Sequence, residues 1–399
     1  MDLRHRATRR RVLRAASAAA LAIPALARAQ ARAPLTVWFT VEGAKAMRQL
    51  GEAFTAESGI DVVIETPDAD GPSKFQQAAA AGKGPDLLIY AHDRIGEWIG
   101  GGLLHAVTPS QRLLDDIDPL AWKGFSYRGR LWGYPYAIEA VTLLYNRALV
   151  PEPPRTFDDV FAIDARLAQQ GKKAILWDYT NTYFTWPLFA ANGGYAFKAR
   201  PDGTYDVRDT GVNNAGALIG ARLLERLIKE GLMPAGSGYP EMEAAVAQGR
   251  VAMMINGPWA WVGLKRAGID FGVAKIPMVG GKAAAPFVGI KGIVINRSTR
   301  QREAAVEFIE NHLLTQAGLK AIDRAEPIGA AASSTYYREQ AVDARIAGIM
   351  ESAREGVPTP SVPEMGRFWA AMKSSLTTLS EGRQTAAQAM EAASRRILG

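Results

Sequence analysis

The chain has 399 residues, and at about 150 residues per domain this length predicts two or three domains. Its 48% hydrophobic and 22% charged composition is that of an ordinary soluble globular protein. It contains no cysteine, which excludes disulfide scaffolds, thiolate nucleophiles and cysteine metal sites. The net charge of +7 lies almost wholly in residues 1–31, which hold seven Arg and one Asp, so the body of the chain gives no electrostatic reason to bind nucleic acid.

The first 31 residues are typical of an export signal. A basic stretch over residues 4–14 precedes an apolar run over residues 15–27, which is shorter than the roughly 20 residues of a membrane span. Arg9-Arg10-Arg11 resembles a twin-arginine signal, and an ordinary secretory signal is the alternative. We therefore expect a soluble protein exported to the periplasm and, since it has no cysteine, not lipid-anchored.

The next part of the chain alternates predicted strands and helices. The strands are predicted at residues 35–40, 61–65 and 86–90, and the helices at 47–58, where Gly59 ends the helix, and at 74–81. This alternation predicts a parallel sheet with covering helices. In such sheets functional groups project from the carboxyl ends of the strands, which draws attention to the residues after Tyr90.

The rest of the chain continues the mixed pattern. Helices are predicted at 157–170 with Thr156 as N-cap and at 215–231, and strands at 251–255 and 293–296. Ser298-x-x-Gln301 predicts a capping box that opens a helix through residue 314, and Thr385-x-x-Gln388 predicts the start of another helix.

Catalytic motifs for hydride, phosphoryl or acyl transfer are missing from the sequence. The three histidines after the leader are scattered, so we expect no metal site and no cofactor. The residues make an enzyme improbable. A glycoside-processing enzyme that uses Asp93 and Glu139 as its carboxylate pair stays open as an alternative, because such enzymes need only two carboxylates.

Aromatic residues cluster in turn-like stretches at 183–187, 257–261 and 368–369. Core packing is the ordinary interpretation of any one of them, but flat rings also cover the C–H faces of sugars. Carboxylates, Arg and Asn match the sugar hydroxyls, and Asp93 and Arg94 stand just after a predicted strand. Glu139 is a lone carboxylate in an apolar run, where it must face a partner, a cleft or solvent.

From about residue 35 to its end, the chain closely resembles the bacterial maltose/maltodextrin-binding proteins of sugar ABC importers. The resemblance lies in long ordered strings: Ala91-His92-Asp93-Arg94, Tyr183-Phe184-Thr185-Trp186-Pro187-Leu188, Gly193-Gly194-Tyr195-Ala196-Phe197-Lys198, Ile255-Asn256-Gly257-Pro258-Trp259-Ala260-Trp261, Pro286-Phe287-Val288-Gly289 and Gly382-Arg383-Gln384-Thr385.

This resemblance implies an α/β chain with the two-lobe periplasmic binding protein fold, a hinge and a ligand cleft between the lobes. The N-terminal lobe would comprise residues 32–138 plus 293–338, and the C-terminal lobe residues 143–287 plus 345–399. The hinge crossings would lie at 139–142, 288–292 and 339–344. Closure around a sugar would then be read by an inner-membrane ABC permease, and we expect a monomer.

The resemblance also implies the residues of the sugar site. Hydrogen bonds to the sugar are expected from polar side chains, namely Glu42, Asp93, Arg94, Glu139, Asn181 and Lys373. Stacking or apolar contacts are expected from a second set, namely Tyr90, Ala91, Tyr183, Phe184, Tyr239, Trp259 and Trp369.

Several positions depart from the family pattern. Tyr90 stands for Trp, Asn181-Thr182 for Glu-Pro and Lys373 for Arg, and the stretch 67–72 lacks the family's Lys. Each hydrogen bond lost from a charged group costs about 1.5–3 kcal/mol if nothing replaces it. The ligand is therefore expected to be maltose or a maltodextrin, with another α-glucoside such as trehalose as the alternative. A non-sugar solute such as a polyamine or a metal is the third class considered.

Overall fold

A computed structural model describes residues 33–67, 71–200, 204–234 and 236–399. The expected export signal lies outside these residues, as do three positions of the 67–72 stretch that departs from the family pattern. None of the helices in the described ranges is long and apolar enough to cross a membrane.

Fifteen strands lie in the described residues. They are β1 (Leu35–Trp38), β2 (Val62–Glu65), β3 (Leu87–Ala91), β4 (Ser126–Tyr127), β5 (Arg130–Leu131), β6 (Tyr134–Ala140), β7 (Thr142–Asn146), β8 (Lys173–Ile175), β9 (Lys198–Ala199), β10 (Tyr205–Asp206), β11 (Val251–Asn256), β12 (Phe271–Ala274), β13 (Phe287–Ile295), β14 (Ala330–Ala331) and β15 (Val357–Pro358).

Sixteen α-helices are found in the same residues. They are α1 (Ala44–Ser58), α2 (Gly71–Ala80), α3 (Ile95–Gly100), α4 (Gln111–Asp116), α5 (Pro119–Gly124), α6 (Phe157–Ala168), α7 (Thr182–Ala190), α8 (Ala215–Lys229), α9 (Tyr239–Ala247), α10 (Trp261–Arg266), α11 (Arg302–Phe308), α12 (Gln316–Ala325), α13 (Ser334–Gln340), α14 (Ala344–Glu355), α15 (Met365–Ser380) and α16 (Ala386–Leu398).

The larger sheet has seven strands in the order β14-β6-β13-β3-β1-β2, with β15 paired to β13. β1 is parallel to both β2 and β3, as the sequence predicts for this part of the chain. β13 is antiparallel to β3 and to β6, so it joins the parallel strands to the rest of the sheet. The carboxyl end of β3 and the middle of β6 thereby lie on either side of β13.

The smaller sheet has four strands in the order β12-β7-β11-β8. Only Val141 separates β6 of the larger sheet from β7 of the smaller one, and Val141 is fully buried. The chain returns to the larger sheet between β12 and β13. These two passages bring the sheets together at the site described below.

Each sheet has its own hydrophobic core. One core contains buried side chains of β1, β3, β6 and β13 with Phe54, Phe75, Trp98 and Phe308. The other contains buried side chains of β7, β8 and β11 with Trp177, Trp186, Phe189 and Phe368. The mixed α/β class predicted from the sequence is therefore confirmed.

Several predicted helix signals are found in the structure. α1 ends at Gly59, whose φ of 70° is the left-handed conformation that glycine adopts without strain. Thr156 caps α6 and forms a capping box with Asp159, and Thr385 does the same for α16 with Gln388. These side chains satisfy backbone N–H groups that the first turn leaves unpaired.

The predicted capping box at Ser298-x-x-Gln301 is wrong. The Ser298 hydroxyl donates to the side chain of Asn296 instead, and the helix begins at Arg302 without a side-chain cap. The helix is also shorter than predicted, because α11 gives way to a π-helical turn at Ile309–Leu313. The strand predicted at 293–296 is longer than expected, since β13 starts at Phe287.

Candidate functional site

A cavity of about 490 Å³ opens where the elements of the two cores meet. One side comes from the end of β3 with the 3₁₀ turn His92–Arg94, and from β6 and β13. The other side comes from the segment before α7, the start of α7, and α15. Its lining consists of Tyr90, Ala91, His92, Asp93, Arg94, Glu139, Asp178, Thr180, Asn181, Thr182, Tyr183, Phe184, Gly289, Thr359, Trp369 and Lys373.

The cavity brings together most of the residues predicted from the sequence. Those in its lining are Tyr90, Ala91, Asp93, Arg94, Glu139, Asn181, Tyr183, Phe184, Trp369 and Lys373. Glu42 is not among the lining residues and lies exposed in the turn before α1. Trp259 and Tyr239 are also outside the lining, and their rings lie beside Phe184, at 6.2 and 5.9 Å between ring centres.

His92 fixes the position of the 3₁₀ turn. Its Nδ1 accepts a hydrogen bond from the Ile290 amide at 3.0 Å, so the ring proton lies on Nε2, which is 3.0 Å from the Thr359 carbonyl oxygen. Burial lowers the pKa of this imidazole to about 4. His92 is therefore a neutral side chain whose hydrogen bonds connect the end of β3 to β13 and to the segment after β15.

Asp93 is a half-buried carboxylate on the same turn. Burial is the largest influence and raises its pKa to about 6, while Arg94 opposes the shift. Its Oδ1 is buried and has no hydrogen-bond partner within the described protein. Arg94 is 3.8 Å from Glu97, so its guanidinium forms only a loose ion pair and keeps free donors.

Glu139 lies in the middle of the site on β6. It is buried, and its Oε2 is 3.5 Å from the Nζ of Lys291 on β13. Burial raises the pKa of Glu139, and the Lys291 ammonium partly offsets that rise. Lys291 was not predicted from the sequence, although it is a lone charge in the apolar run of β13, which is the signal that identified Glu139.

The aromatic clusters divide between the core and the cavity. Trp186 and Phe368 are fully buried, and Trp186 stacks on Phe287 at 4.6 Å, so the core interpretation is correct for these two. Tyr183 and Trp369 are only partly buried and line the cavity. The Trp369 ring rests edge-on against Phe287 at 5.4 Å, which fixes its orientation.

The segment that leads into α7 adds polar groups that were not predicted from the sequence. Asp178 and Thr180 line the cavity, and the Thr180 hydroxyl donates to Asp178 at 3.1 Å. Asn181 is the N-cap of α7, where its side chain accepts from the Tyr183 amide at 3.1 Å. The Thr182 hydroxyl is buried without a partner in the described protein. Asn181 and Thr182 stand where the family has Glu-Pro, and Asp178 lies outside the strings that carry the family resemblance.

Gly289 of β13 leaves room for two of the polar groups. A Cβ at this position would lie 3.0 Å from the Glu139 Cγ and 3.1 Å from the Tyr183 hydroxyl. Those distances are tighter than ordinary van der Waals contacts, so any larger residue would displace one of these side chains. The glycine therefore shapes the floor of the cavity.

Unpaired polar atoms are concentrated in this lining. Four buried side-chain atoms of lining residues have no hydrogen-bond partner within the described protein, namely Asp93 Oδ1, Thr182 Oγ1, Tyr183 Oη and Trp369 Nε1, while Glu139 Oε2 has only the Lys291 ammonium at 3.5 Å. Buried polar groups normally find partners, so these atoms point to a polar ligand with both donors and acceptors. No cluster of three or more His, Cys, Asp or Glu that could hold a metal is found in the described ranges.

Curated relatives match the chain over most of its length. The "Galactooligosaccharide-binding protein" of Bacillus subtilis (strain 168) is 29% identical over 92% of this chain and 89% of its own length. A "Maltooligosaccharide ABC transporter solute-binding lipoprotein" of Streptococcus pneumoniae is 28% identical over 88% and 85% of the two chains. The "Maltotriose-binding protein" of Pyrococcus abyssi is 29% identical over 79% and 70%.

The family model of the bacterial extracellular solute-binding proteins matches residues 40–318. This range covers most of the two sheets and the cavity wall from Tyr90 to Gly289. The family resemblance noted in the sequence is thereby confirmed, and the chain belongs to the bacterial extracellular solute-binding protein family.

Proposed function

We propose that this protein captures an oligosaccharide in the cavity and delivers it to a membrane ABC permease. The observation that carries the proposal is the combination, in one cavity, of four unpaired buried polar atoms with the rings of Tyr183, Phe184 and Trp369. A sugar ring offers hydroxyls to the first and C–H faces to the second. A ligand without hydrogen-bond donors would leave the buried Oδ1 of Asp93 unpaired, which costs free energy.

Maltose or a maltodextrin is the first candidate ligand. It is supported by the relatives named for maltooligosaccharides and maltotriose, and by the residues shared with that family. A galactooligosaccharide is the second candidate, since one relative is named for that sugar. The departures at Asn181, Thr182 and Lys373 lie in the cavity lining, and Asp178 offers a carboxylate in place of the missing Glu.

The ligand is proposed to bind between two lobes that close around it. The proposed lobes, residues 32–138 plus 293–338 and 143–287 plus 345–399, accord with the presence of two hydrophobic cores. Closure follows if the sugar contacts both lobes only when they are together. Small-angle scattering is expected to give a smaller radius of gyration at saturating sugar, and an unchanged radius would contradict closure.

The protein is proposed to bind its sugar without chemical change. Support comes from the relatives, which are named as binding proteins. The alternative is a glycosidase that uses Asp93 and Glu139. Long incubation with maltooligosaccharides and analysis of the products distinguishes the two, because a binding protein returns its ligand intact.

Export to the periplasm is proposed from the leader-like first 31 residues. The proposed partner is an inner-membrane ABC permease complex, because one relative is named an ABC transporter solute-binding lipoprotein. The protein is proposed to act as a monomer. The Streptococcus relative is named a lipoprotein, so fractionation of cells into soluble periplasm and membrane is the measurement that checks the expected soluble form.

A thermal-shift panel tests the proposed function. The panel contains maltose, maltotriose, a galactooligosaccharide, trehalose, sucrose, a polyamine and a series of metals. A ligand that binds only the folded protein at a hundredfold excess over its Kd stabilises it by about 2.7 kcal/mol. Stabilisation by an oligosaccharide supports the proposal and identifies the sugar class, whereas a shift with only the polyamine or a metal would overturn it.

A further inference from the structure

A largely buried lysine, with 17% of its side chain exposed, contacts Glu139 of the cavity lining. Lys291 of β13 is placed opposite Ala137 of β6 and Ala91 of β3, and the register with β6 shifts immediately after it. Such bulges re-aim side chains in a sheet. The Lys291 Nζ is 3.5 Å from the Glu139 Oε2 and 3.6 Å from the Glu326 Oε1, so one ammonium bridges two carboxylates.

Glu326 is itself held by a second contact, with Thr40. It follows the end of α12, and its Oε2 accepts a hydrogen bond from the Thr40 hydroxyl. The Thr40 oxygen in turn accepts from the Gly43 amide at 3.2 Å. A continuous set of polar contacts therefore runs from the turn before α1 through Thr40, Glu326 and Lys291 to the cavity.

Among the titratable groups that face Glu139, Lys291 is the one that carries a positive charge. Those groups come from several elements: Tyr90 and Asp93 at the end of β3, Tyr136 on β6, Tyr183 on α7, Lys291 on β13 and Glu326 after α12. Asp93 and Glu326 are acidic, and both disfavour a second negative charge nearby. Without Lys291, burial and these acids would all act to protonate Glu139.

We propose that Lys291 is a positioning residue for ligand binding, which keeps Glu139 ionised and holds its carboxylate at the cavity wall, while Glu326 and Thr40 fix the ammonium. This inference rests on the proposed function, in which Glu139 accepts hydrogen bonds from sugar hydroxyls. An ionised carboxylate accepts such bonds on both oxygens, whereas the protonated form loses part of that capacity.

The first test needs no ligand. Protein labelled with [δ-¹³C]glutamate is titrated by NMR, with the Glu139 resonance assigned through Glu139→Gln. Loss of a cation within 4 Å raises a carboxyl pKa by about 1–3 units, so Lys291→Met is expected to raise the Glu139 midpoint by that amount. Lys291→Arg is expected to restore most of the wild-type value. An unchanged midpoint in Lys291→Met would overturn the proposal.

A second variant keeps the test decisive if Lys291→Met fails to fold. Glu326→Gln removes a negative charge that raises the pKa of Glu139, so its midpoint is expected to move in the opposite direction, to lower pH. A Glu139 midpoint that does not fall in Glu326→Gln would show that the bridged charges do not control Glu139, and the proposal would be wrong.

The second test measures sugar affinity by calorimetry with maltotriose and a galactooligosaccharide. Lys291→Met is expected to raise Kd about tenfold at pH 7, with the loss shrinking as the pH is raised and Glu139 ionises again. The matched control is Lys275→Met, which breaks an exposed ion pair with Glu355 and is expected to leave Kd unchanged.

The two tests separate the inference from the proposed function. If wild-type protein binds neither sugar, the proposed function fails while the NMR titration still decides the role of Lys291. If wild-type protein binds sugar and Lys291→Met keeps both its Kd and its Glu139 midpoint, the role of Lys291 fails alone.

Discussion

The two walls of the cavity differ in chemistry and in origin. The acidic wall, formed by Asp93, Arg94 and Glu139, extends from the seven-stranded sheet. The aromatic wall, formed by Tyr183, Phe184 and Trp369, packs on the core of the four-stranded sheet. The charged groups of the first wall and the ring faces of the second together offer the two kinds of contact that a sugar requires.

The walls are also stabilised in different ways. The acidic wall is fixed by polar contacts, since His92 pins its turn and Lys291 pairs with Glu139. The aromatic wall is fixed by ring packing, as in the contact of Trp369 with Phe287. We therefore expect a change of pH to affect ligand binding through the first wall, and a change of side-chain volume to affect it through the second.

The largest effect is expected from a change in the acidic wall. Asp93→Asn removes a charged acceptor, and the loss of about 1.5–3 kcal/mol should weaken oligosaccharide binding roughly 10–150-fold in calorimetry. Asp158→Asn, at a side chain that is 90% exposed, is the matched control. Affinity equal to that of the wild type in Asp93→Asn would mean that the acidic wall does not contact the sugar.

The same variant carries an internal check on folding. Because the pKa of Asp93 is raised to about 6, ionisation above that pH opposes folding, and the cost disappears once the carboxyl is protonated in both states. Asp93→Asn is therefore expected to melt no lower than the wild type at pH 7.5. A strongly lowered Tm would show that lost affinity reflects lost folding.

The aromatic wall is tested by Trp369→Ala. Removal of a stacking face costs about 1–3 kcal/mol by analogy with other ring-stacking losses, so a Kd increase of roughly 5–150-fold is expected. Trp132→Ala is the control, since Trp132 is also half-buried but bonds to the Tyr127 carbonyl away from the cavity. Equal affinities of Trp369→Ala and Trp132→Ala would show that Trp369 does not contact the sugar.

The pH dependence of sugar affinity distinguishes the contributions of the two walls. Protonation of Asp93, with its pKa of about 6, should weaken binding about tenfold between pH 7.5 and pH 5. His92 titrates only near pH 4, so it does not contribute in this range. Calorimetry of Asp93→Asn over the same range should give a flatter profile, and an equally steep profile would assign the dependence to another group.

The smallest effect is expected at the floor between the walls. Gly289→Ala places a Cβ 3.0 Å from Glu139 and 3.1 Å from Tyr183, and both side chains must shift by a few tenths of an ångström. A Kd increase of less than about tenfold is expected. Gly263→Ala is the control, because nothing lies within 4 Å of its Cβ. A tighter complex in Gly289→Ala would contradict this role for the floor.

The sequence predicts the acidic wall better than the segment before α7. Asp93 and Arg94 belong to a family string, and Glu139 is recognisable as a lone carboxylate in an apolar strand. Lys291 carries the same signal, yet its partner Glu326 is 35 positions away and only the fold brings them to 3.6 Å. Asp178 was not predicted because it lies in a loop, and the sequence pattern does not show that this loop leads to the cavity.

Local competition explains the fold features that were predicted wrongly. The Ser298 side chain could have capped a helix, but the Gln301 amide that it would have to accept donates to the Thr299 hydroxyl oxygen at 3.1 Å, so the capping box does not form. The aromatic clusters could not be divided between core and cavity by pattern alone. Trp186 and Tyr183 lie only three residues apart, and one is fully buried while the other lines the cavity.

The most direct test of the central claim is calorimetry on the double variant Asp93→Asn/Trp369→Ala, which changes one residue on each wall. Maltotriose and a galactooligosaccharide are titrated into the wild type and the double variant. We predict that the wild type binds at least one of them in a one-to-one ratio, and that the double variant binds it more weakly than either single variant, because the two residues offer the ligand different kinds of contact. Absence of binding to the wild type, or equal affinity in the double variant, would contradict the claim that these two walls hold an oligosaccharide.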